Sequence, residues 1–136
     1  MMPPLAAAPD RVFRTLFSLI FLVAGLGHIV RPTQIVARLE AARIGAWVSS
    51  VFPSEVLVLS TGMALVVGGA GLLLNIKSRW AAVLLIACLV PITLSVQLAP
   101  DKVGPLFKNI ALLGGLIHFA FRPDDKSLAT TPPNSD

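Results

Sequence analysis

Residues 56–76 read VLVLSTGMALVVGGAGLLLNI, and residues 80–99 read WAAVLLIACLVPITLSVQLA. Neither stretch contains a charged residue, and each supplies the roughly 20 helical residues that are needed to cross the hydrocarbon core of a bilayer. Two more apolar stretches, 12–30 and 106–121, lie on either side of this pair. Because backbone groups in lipid must be paired internally, the four stretches predict four transmembrane helices in an all-α membrane protein.

The composition favours a membrane protein over a soluble domain. Hydrophobic residues make up 55% of the 136 residues and charged residues only 13%, which is more apolar surface than a small soluble domain can bury. The net charge of +4 is also compatible with nucleic acid, but the basic residues are scattered and no basic helix carries interleaved aromatics. We therefore expect the lipid bilayer as a partner, and no nucleic acid.

Few residue patterns in the chain are typical of catalysis or metal binding. Cys88 is the only cysteine, so the chain alone cannot form a disulfide, a CxxC redox motif or an iron–sulfur ligand set. The two histidines, His28 and His118, lie near opposite membrane faces, so one haem cannot bridge them within a monomer. No Gly-rich phosphate loop or nucleophile elbow occurs. We therefore expect no metal site, no firmly assigned cofactor and no catalytic activity of the chain on its own.

The connections between the spans predict how the helices are arranged. The links 75–79 and 100–105 are very short, so the helices that they join must be adjacent and antiparallel. The only sizeable connection is 32–55, between the first and second spans. We therefore predict an antiparallel bundle of four helices with both termini on one side.

The connection between the first two spans has a helical pattern of its own at 33–44. Its apolar residues follow i, i+4, i+7, i+11 spacing and are Ile35, Leu39, Ala42 and Ala46. Gly45 is a plausible stop for this helix. Trp47 and Phe52 are typical anchors at a membrane–water interface, so the pattern predicts a short interfacial helix.

We divide the chain into a flexible N-terminus (1–11), a four-helix transmembrane domain (12–122) and a disordered C-terminal tail (123–136). Basic residues at the end of the bundle that carries the termini are Arg11, Arg14, Lys77, Arg79, Arg122 and Lys126. Those at the opposite end are Arg31, Arg38, Arg43, Lys102 and Lys108. This small excess predicts that the termini lie in the cytoplasm.

Small residues recur along the predicted spans. Ala64 and Gly68 form a small-xxx-small pattern, which lets two helix backbones approach closely. Helix packing is therefore our main interpretation of the glycines, and a cofactor site is the alternative. Pro91 predicts a kink in the third span, because it removes one backbone hydrogen bond.

Antiparallel order brings polar side chains from all four helices to one membrane face. This predicted polar cluster consists of His28, Glu55, Gln97, Lys108 and Asn109. Ionisable residues inside a membrane are costly and are therefore functional candidates. Such a cluster can bind a polar head group, such as a quinone ring, or relay a proton. In that case His28 would titrate and Glu55 would be its carboxylate partner.

A purely structural interpretation of the same cluster is also open. Each member lies within about two turns of a predicted helix end, where long side chains can reach the head groups. Glu55 can complement a helix N-terminus, and Lys108 can pair with it or extend to the lipid surface. Gln97 and Asn109 can form hydrogen bonds between helices.

The order of several motifs resembles the DoxX family of small membrane proteins. They are Arg14, FLVAGLGH at 21–28, Arg31-Pro32, Glu55, Gly62, Gly68-Gly69, Gly71, RWAA at 79–82 and FKNIALLGG at 107–115. The resemblance covers about residues 11–121. The chain has His28 where the family usually has Lys, and Gln97 near the place where the third span often ends in His.

The resemblance implies a four-helix bundle in a bacterial cytoplasmic membrane, usually with the termini inside. It also implies a link to quinone-dependent oxidoreductases or redox-stress complexes, of which some family members are subunits. We therefore expect an accessory, non-catalytic subunit of a membrane redox complex, with protein partners or further copies of itself. The alternatives are a structural or assembly factor of a larger membrane complex and, less favoured, a small transporter, since the chain has no inverted repeat.

Overall fold

The computed structural model describes residues 4–96 and 100–122, which form helices and no strand. The α-helices are α1 (Pro4–Val30), α2 (Pro32–Ala41), α3 (Arg43–Val51), α4 (Ser54–Leu73), α5 (Ser78–Val96) and α6 (Val103–Phe121), with a short 3₁₀ helix, Pro100–Lys102, before α6. Four of these helices, α1, α4, α5 and α6, are long and apolar enough to cross a membrane. The predicted all-α fold with four spans is confirmed.

Close contacts between α4 and α5 show that the two helices run in opposite directions. Gly68 of α4 lies against Leu85 of α5, and Gly71, further along α4, lies against Ala81, earlier on α5. The pair is thus a helical hairpin, as the short link between them predicts. Contacts of α1 with α4 and with α6 show the same antiparallel order, because residues later in α1 contact residues earlier in the other helix.

Two glycines bring α1 and α4 into backbone contact. A Cβ at Gly25 would lie 2.8 Å from the carbonyl oxygen of Gly62 and 2.9 Å from the backbone nitrogen of Val66. A Cβ at Gly62 would lie 2.7 Å from Cβ of His28. These glycines therefore serve helix packing, which is the main interpretation of the sequence pattern.

Aromatic rings fill the space between α1 and α6 towards the end of the bundle at which α6 ends. The Phe17 ring lies 5.4 Å from that of Phe21 and 5.7 Å from that of Phe119, measured between centroids. Gly115 leaves room for the Phe17 ring, since a Cβ there would come within 2.6 Å of it. Phe21 and Phe119 are each only 2% exposed, so this aromatic cluster forms one end of the core.

The hairpin between α4 and α5 begins with a Schellman motif, in which a left-handed residue ends the helix. Asn75 has a φ of 56°, its N–H donates to the Leu72 carbonyl at 3.3 Å, and the Ile76 N–H donates to the Gly71 carbonyl at 2.9 Å. The second span is predicted to continue to residue 76, but α4 ends at Leu73, because this motif reverses the chain.

Arg14 of α1 ties the hairpin to the first helix. Its guanidinium donates to Asn75 Oδ1 at 2.9 Å and to Ser78 Oγ at 2.8 Å, and Ser78 Oγ donates to Asn75 Oδ1 at 2.7 Å. Asp10 lies 3.9 Å from the Arg14 guanidinium and accepts a hydrogen bond from Arg122 at the end of α6. One polar network therefore joins α1, the α4–α5 hairpin and the end of α6.

The predicted interfacial helix at 33–44 is wrong in its bounds, because the structure contains two helices there. Ala42, with φ −83° and ψ 137°, separates α2 from α3. Gly45 does not stop a helix; it lies inside α3, where a Cβ would overlap the Leu39 carbonyl oxygen. Its missing side chain therefore lets α3 fold back on α2. The hydroxyl of Ser54 donates to a Glu40 carboxylate oxygen at 2.9 Å, linking α2 to the start of α4.

The N-terminus differs from the predicted flexible segment 1–11, because α1 begins at Pro4. Proline suits the first helical position, where its missing N–H is not needed, and the alanines that follow favour helix. Pro9 removes one backbone hydrogen bond without ending the helix. The predicted tail, 123–136, lies outside the described residues.

Candidate functional site

A cavity of about 230 Å³ lies where α1, α4 and α5 meet the α2–α3 pair. Much of its wall is apolar and includes Leu39, Val48, Val58, Pro91 and Ile92. The polar groups in the wall are His28 of α1, Arg38 of α2, Thr61 of α4 and Ser95 of α5. Four helices that are distant in sequence thus each contribute one polar side chain to a mostly apolar cavity.

The imidazole of His28 has a defined tautomer. Its Nδ1 lies 2.7 Å from the carbonyl oxygen of Ala24. A carbonyl oxygen can only accept, so Nδ1 carries the proton and donates, one turn back along the same helix. The neutral ring therefore keeps Nε2 as an acceptor, without a partner among the described residues. His28 can accept a hydrogen bond from a hydroxyl group in the cavity.

The other three polar groups are donors without protein partners. Within residues 4–96 and 100–122, the guanidinium of Arg38 forms neither an ion pair nor a hydrogen bond, and the hydroxyls of Thr61 and Ser95 form no hydrogen bond. None of their polar atoms is sealed from solvent, so each can meet a ligand or water. Polar groups with unused bonding capacity in a largely apolar wall are typical of a ligand site.

The size of the cavity limits what can bind. An apolar cavity of about 150 Å³ suffices for a benzene ring, so about 230 Å³ accommodates one substituted six-membered ring or a comparable head group. Pro91 lines the cavity and is itself exposed. A ligand with its polar head beside His28 can therefore place an apolar tail against Pro91.

The structure does not bring the predicted polar cluster together as a whole. His28 lines the cavity, whereas Glu55 and Lys108 are exposed and do not. Glu55 and Lys108 form no ion pair with each other, the described ion pairs being those of Asp10. Asn109 is buried on α6, away from the cavity wall. Gln97 lies outside the described residues.

Asn109 instead forms a contact between two helices. Its side-chain amide donates to Thr93 Oγ1 at 3.0 Å, and Thr93 Oγ1 donates to the Leu89 carbonyl at 2.7 Å. Asn109 is 3% exposed and Thr93 is 7% exposed. This geometry matches the structural interpretation, in which Asn109 closes a hydrogen bond between spans.

Replacing Asn109 with Leu is expected to lower the free energy of unfolding by about 1 kcal/mol, the usual size of a hydrogen bond between helices in a membrane. Thr93 remains satisfied, because its bond to Leu89 persists. The measurement is unfolding in mixed micelles followed by circular dichroism. The exposed neighbour Lys108, replaced with Leu, is the control and should leave stability unchanged. A loss for Asn109 no larger than the control would show that the α5–α6 bond contributes nothing.

His118 is exposed on α6 and contacts the ring of Phe119. His118 does not line the cavity, so the two histidines do not share this site. The described residues contain no group of three or more His, Cys, Asp or Glu that could hold a metal ion.

Comparison with protein families matches the chain to the DoxX family over residues 10–98. That range is well over half of the chain and contains every residue of the cavity wall. The chain belongs to the DoxX family. In this DoxX family protein, α6 and the motif at 107–115 lie outside the matched range. Comparison with curated proteins and with solved structures gives no match.

Arg38, Thr61 and Ser95 are polar residues of the cavity wall that the sequence pattern does not predict. In the predicted interfacial helix, Arg38 lies off the apolar stripe and so on the solvent side, yet it lines the cavity beside Leu39. Thr61 and Ser95 are small hydroxyl residues inside apolar spans, where they are common and seldom distinctive. The usable signal is their depth: both lie within a few turns of the same membrane face as His28.

Proposed function

We propose that this DoxX family protein is a non-catalytic, accessory subunit of a membrane redox complex, and that its cavity receives the head group of a quinone. The observation that carries this proposal is the set of four polar residues in an apolar wall, of which Arg38, Thr61 and Ser95 have no partner among the described residues and His28 bonds only through Nδ1. Redox chemistry is assigned to a partner subunit, because the chain has a single cysteine and so no thiol pair.

The bonding capacities in the cavity match the two forms of a quinone. The carbonyl oxygens of the oxidised ring accept hydrogen bonds, which Arg38, Thr61 and Ser95 can donate. The hydroxyls of the reduced ring also donate, and Nε2 of His28 can accept. A quinone tail is apolar, and the exposed Pro91 offers it an apolar surface in the cavity wall.

We further propose that the protein resides in the bacterial cytoplasmic membrane with both termini in the cytoplasm, next to a redox partner. The basic residues at the terminal end support this orientation. Purification from native membranes in mild detergent, followed by mass spectrometry, tests the partnership. Recovery of a partner that has no redox activity, together with failure to bind quinone, would favour the alternative of a structural or assembly factor.

Replacing His28 with Ala is expected to weaken binding of a short-tailed quinol analogue about tenfold, the effect of losing one hydrogen bond in a partly desolvated site. The thermal midpoint should stay nearly unchanged, because Ala keeps the Cβ that lies against Gly62 and the lost Nδ1 bond is local. Isothermal titration calorimetry of the detergent-solubilised original and His28→Ala proteins measures the two affinities.

The control for this prediction is His118→Ala, which removes the exposed histidine on α6 and should leave the affinity unchanged. A second cavity variant, Ser95→Leu, fills the space with an apolar side chain and should abolish binding while the protein stays folded. Equal affinities for the original protein, His28→Ala and Ser95→Leu would place any quinone site elsewhere.

A further inference from the structure

The charge in the cavity wall is of one sign. Among the described residues that line it, Arg38 is the one Lys or Arg, and none is an Asp or Glu. The nearest acidic residue along α2 is Glu40, which accepts a hydrogen bond from Ser54 and forms no ion pair with Arg38 among the described residues. The Arg38 guanidinium therefore makes the electrostatic potential of the cavity positive, and a neutral quinone does not neutralise this charge.

The position of Arg38 suits an anionic group at the aqueous end of the cavity. The residue is exposed and also belongs to the wall, so its guanidinium lies where the cavity meets the surface. A planar guanidinium offers two parallel N–H donors, which match the two oxygens of a carboxylate or phosphate. Thr61 and Ser95 can supply further donors to the same oxygens.

The rest of the cavity suits a single apolar chain. Leu39, Val58 and Ile92 line it, together with the exposed Pro91. A volume of about 230 Å³ holds a small head and the first part of one chain, whereas a two-chain phospholipid with a large head group does not match this shape.

We propose that the cavity also binds a single-chain anionic amphiphile, with a carboxylate or phosphate head held by Arg38 and its chain lying against Pro91. This second ligand class rests on the proposed function, because it uses the same cavity. An anion bound there would exclude the head group of a quinone. Binding of the anion therefore regulates the cavity by competition.

Two matched ligands test the role of the charge. Dodecanoate and its methyl ester have the same chain, but only the carboxylate is charged. In neutral detergent, calorimetry corrected for protein-free micelles should show dodecanoate binding about tenfold more tightly than the ester, as expected for one charge-assisted hydrogen-bonded pair. Dodecyl phosphate, compared in the same way, distinguishes a phosphate head from a carboxylate. Equal affinities of all three ligands would overturn the inference.

The matched variants are Arg38→Gln and Arg43→Gln. Arg43 is exposed on α3 and does not line the cavity, so its loss should leave the preference for the anion intact. Arg38→Gln should abolish that preference and keep the binding of the ester. Should Arg38→Gln be unstable, Arg38→Lys, which keeps the charge and loses the paired donors, should show a reduced preference; a preference unaffected by either variant would contradict the role of Arg38.

The two proposals fail in different ways. A protein that binds the quinol analogue and shows no preference for dodecanoate contradicts the anion site and leaves the proposed function standing. A protein that binds dodecanoate through Arg38 and no quinone analogue supports the anion site and removes the quinone. Displacement of bound quinol analogue by dodecanoate, and not by its ester, supports both.

Discussion

Replacing Arg14 with Met is expected to lower the free energy of unfolding by about 3 kcal/mol, the cost of removing two hydrogen bonds from a charged donor in a partly buried site. The Arg14 side chain is 12% exposed and bonds Asn75 and Ser78, which are far along the chain on the α4–α5 hairpin. Its loss leaves the buried hydroxyl of Ser78 with fewer partners and removes the hydrogen bonds that link the hairpin to the start of α1.

Unfolding of the Arg14→Met protein in mixed micelles is followed by tryptophan fluorescence in a Trp47→Phe background, which leaves Trp80, close to Ser78 at the start of α5, as the reporter. The matched control is Arg11→Met, one turn earlier on α1 and exposed, which should change stability by no more than about 0.5 kcal/mol. Equal losses in the two variants would mean that charge near the membrane surface, and not this network, accounts for the effect.

Replacing Gly25 with Ala is expected to lower the free energy of unfolding by about 2 kcal/mol, within the usual range for overpacking. The added Cβ would meet backbone atoms of α4, the Gly62 carbonyl oxygen at 2.8 Å and the Val66 nitrogen at 2.9 Å. Backbone atoms inside a helix cannot turn aside as a side chain can, so α1 and α4 must separate. This loss is larger than the gain in helix propensity on going from Gly to Ala.

Gly27 on the same helix is a close control, because a Cβ there meets nothing within 4 Å. Gly27→Ala should leave stability unchanged or raise it by up to about 1 kcal/mol. Separation of α1 from α4 should also move His28, which packs on Gly62, so Gly25→Ala should weaken binding of the quinol analogue. A Gly25→Ala protein as stable as Gly27→Ala would show that α1 and α4 have room to spare.

The sequence does not predict the contacts of Arg14 and of Gly25 equally well. The small-residue pattern on α4 predicts close packing, although not which helix approaches it. Arg14 stands out as a cation near the start of an apolar span, but its partners on the hairpin lie outside any local pattern. The left-handed Asn75 that presents its side chain to Arg14 depends on the Schellman motif.

The sequence by itself determined the four spans, the antiparallel order of the helix hairpin and the position of His28 near the end of the first span. Hydropathy and link length are properties of a single segment, so no knowledge of its neighbours is needed. Distance along a helix axis follows from the residue number, which is why the depth of His28 could be inferred.

Only the tertiary structure decided which polar groups share a cavity. Residues at the same depth can point in different directions around their helices, and that direction relative to other helices is set by packing. Glu55 and Asn109 lie near the predicted face yet do not line the cavity, whereas Thr61 and Ser95 do. Arg38 of α2 shares the cavity with Val48 of α3, because the chain turns at Ala42 and α3 folds back on α2, a contact between segments that no local pattern contains.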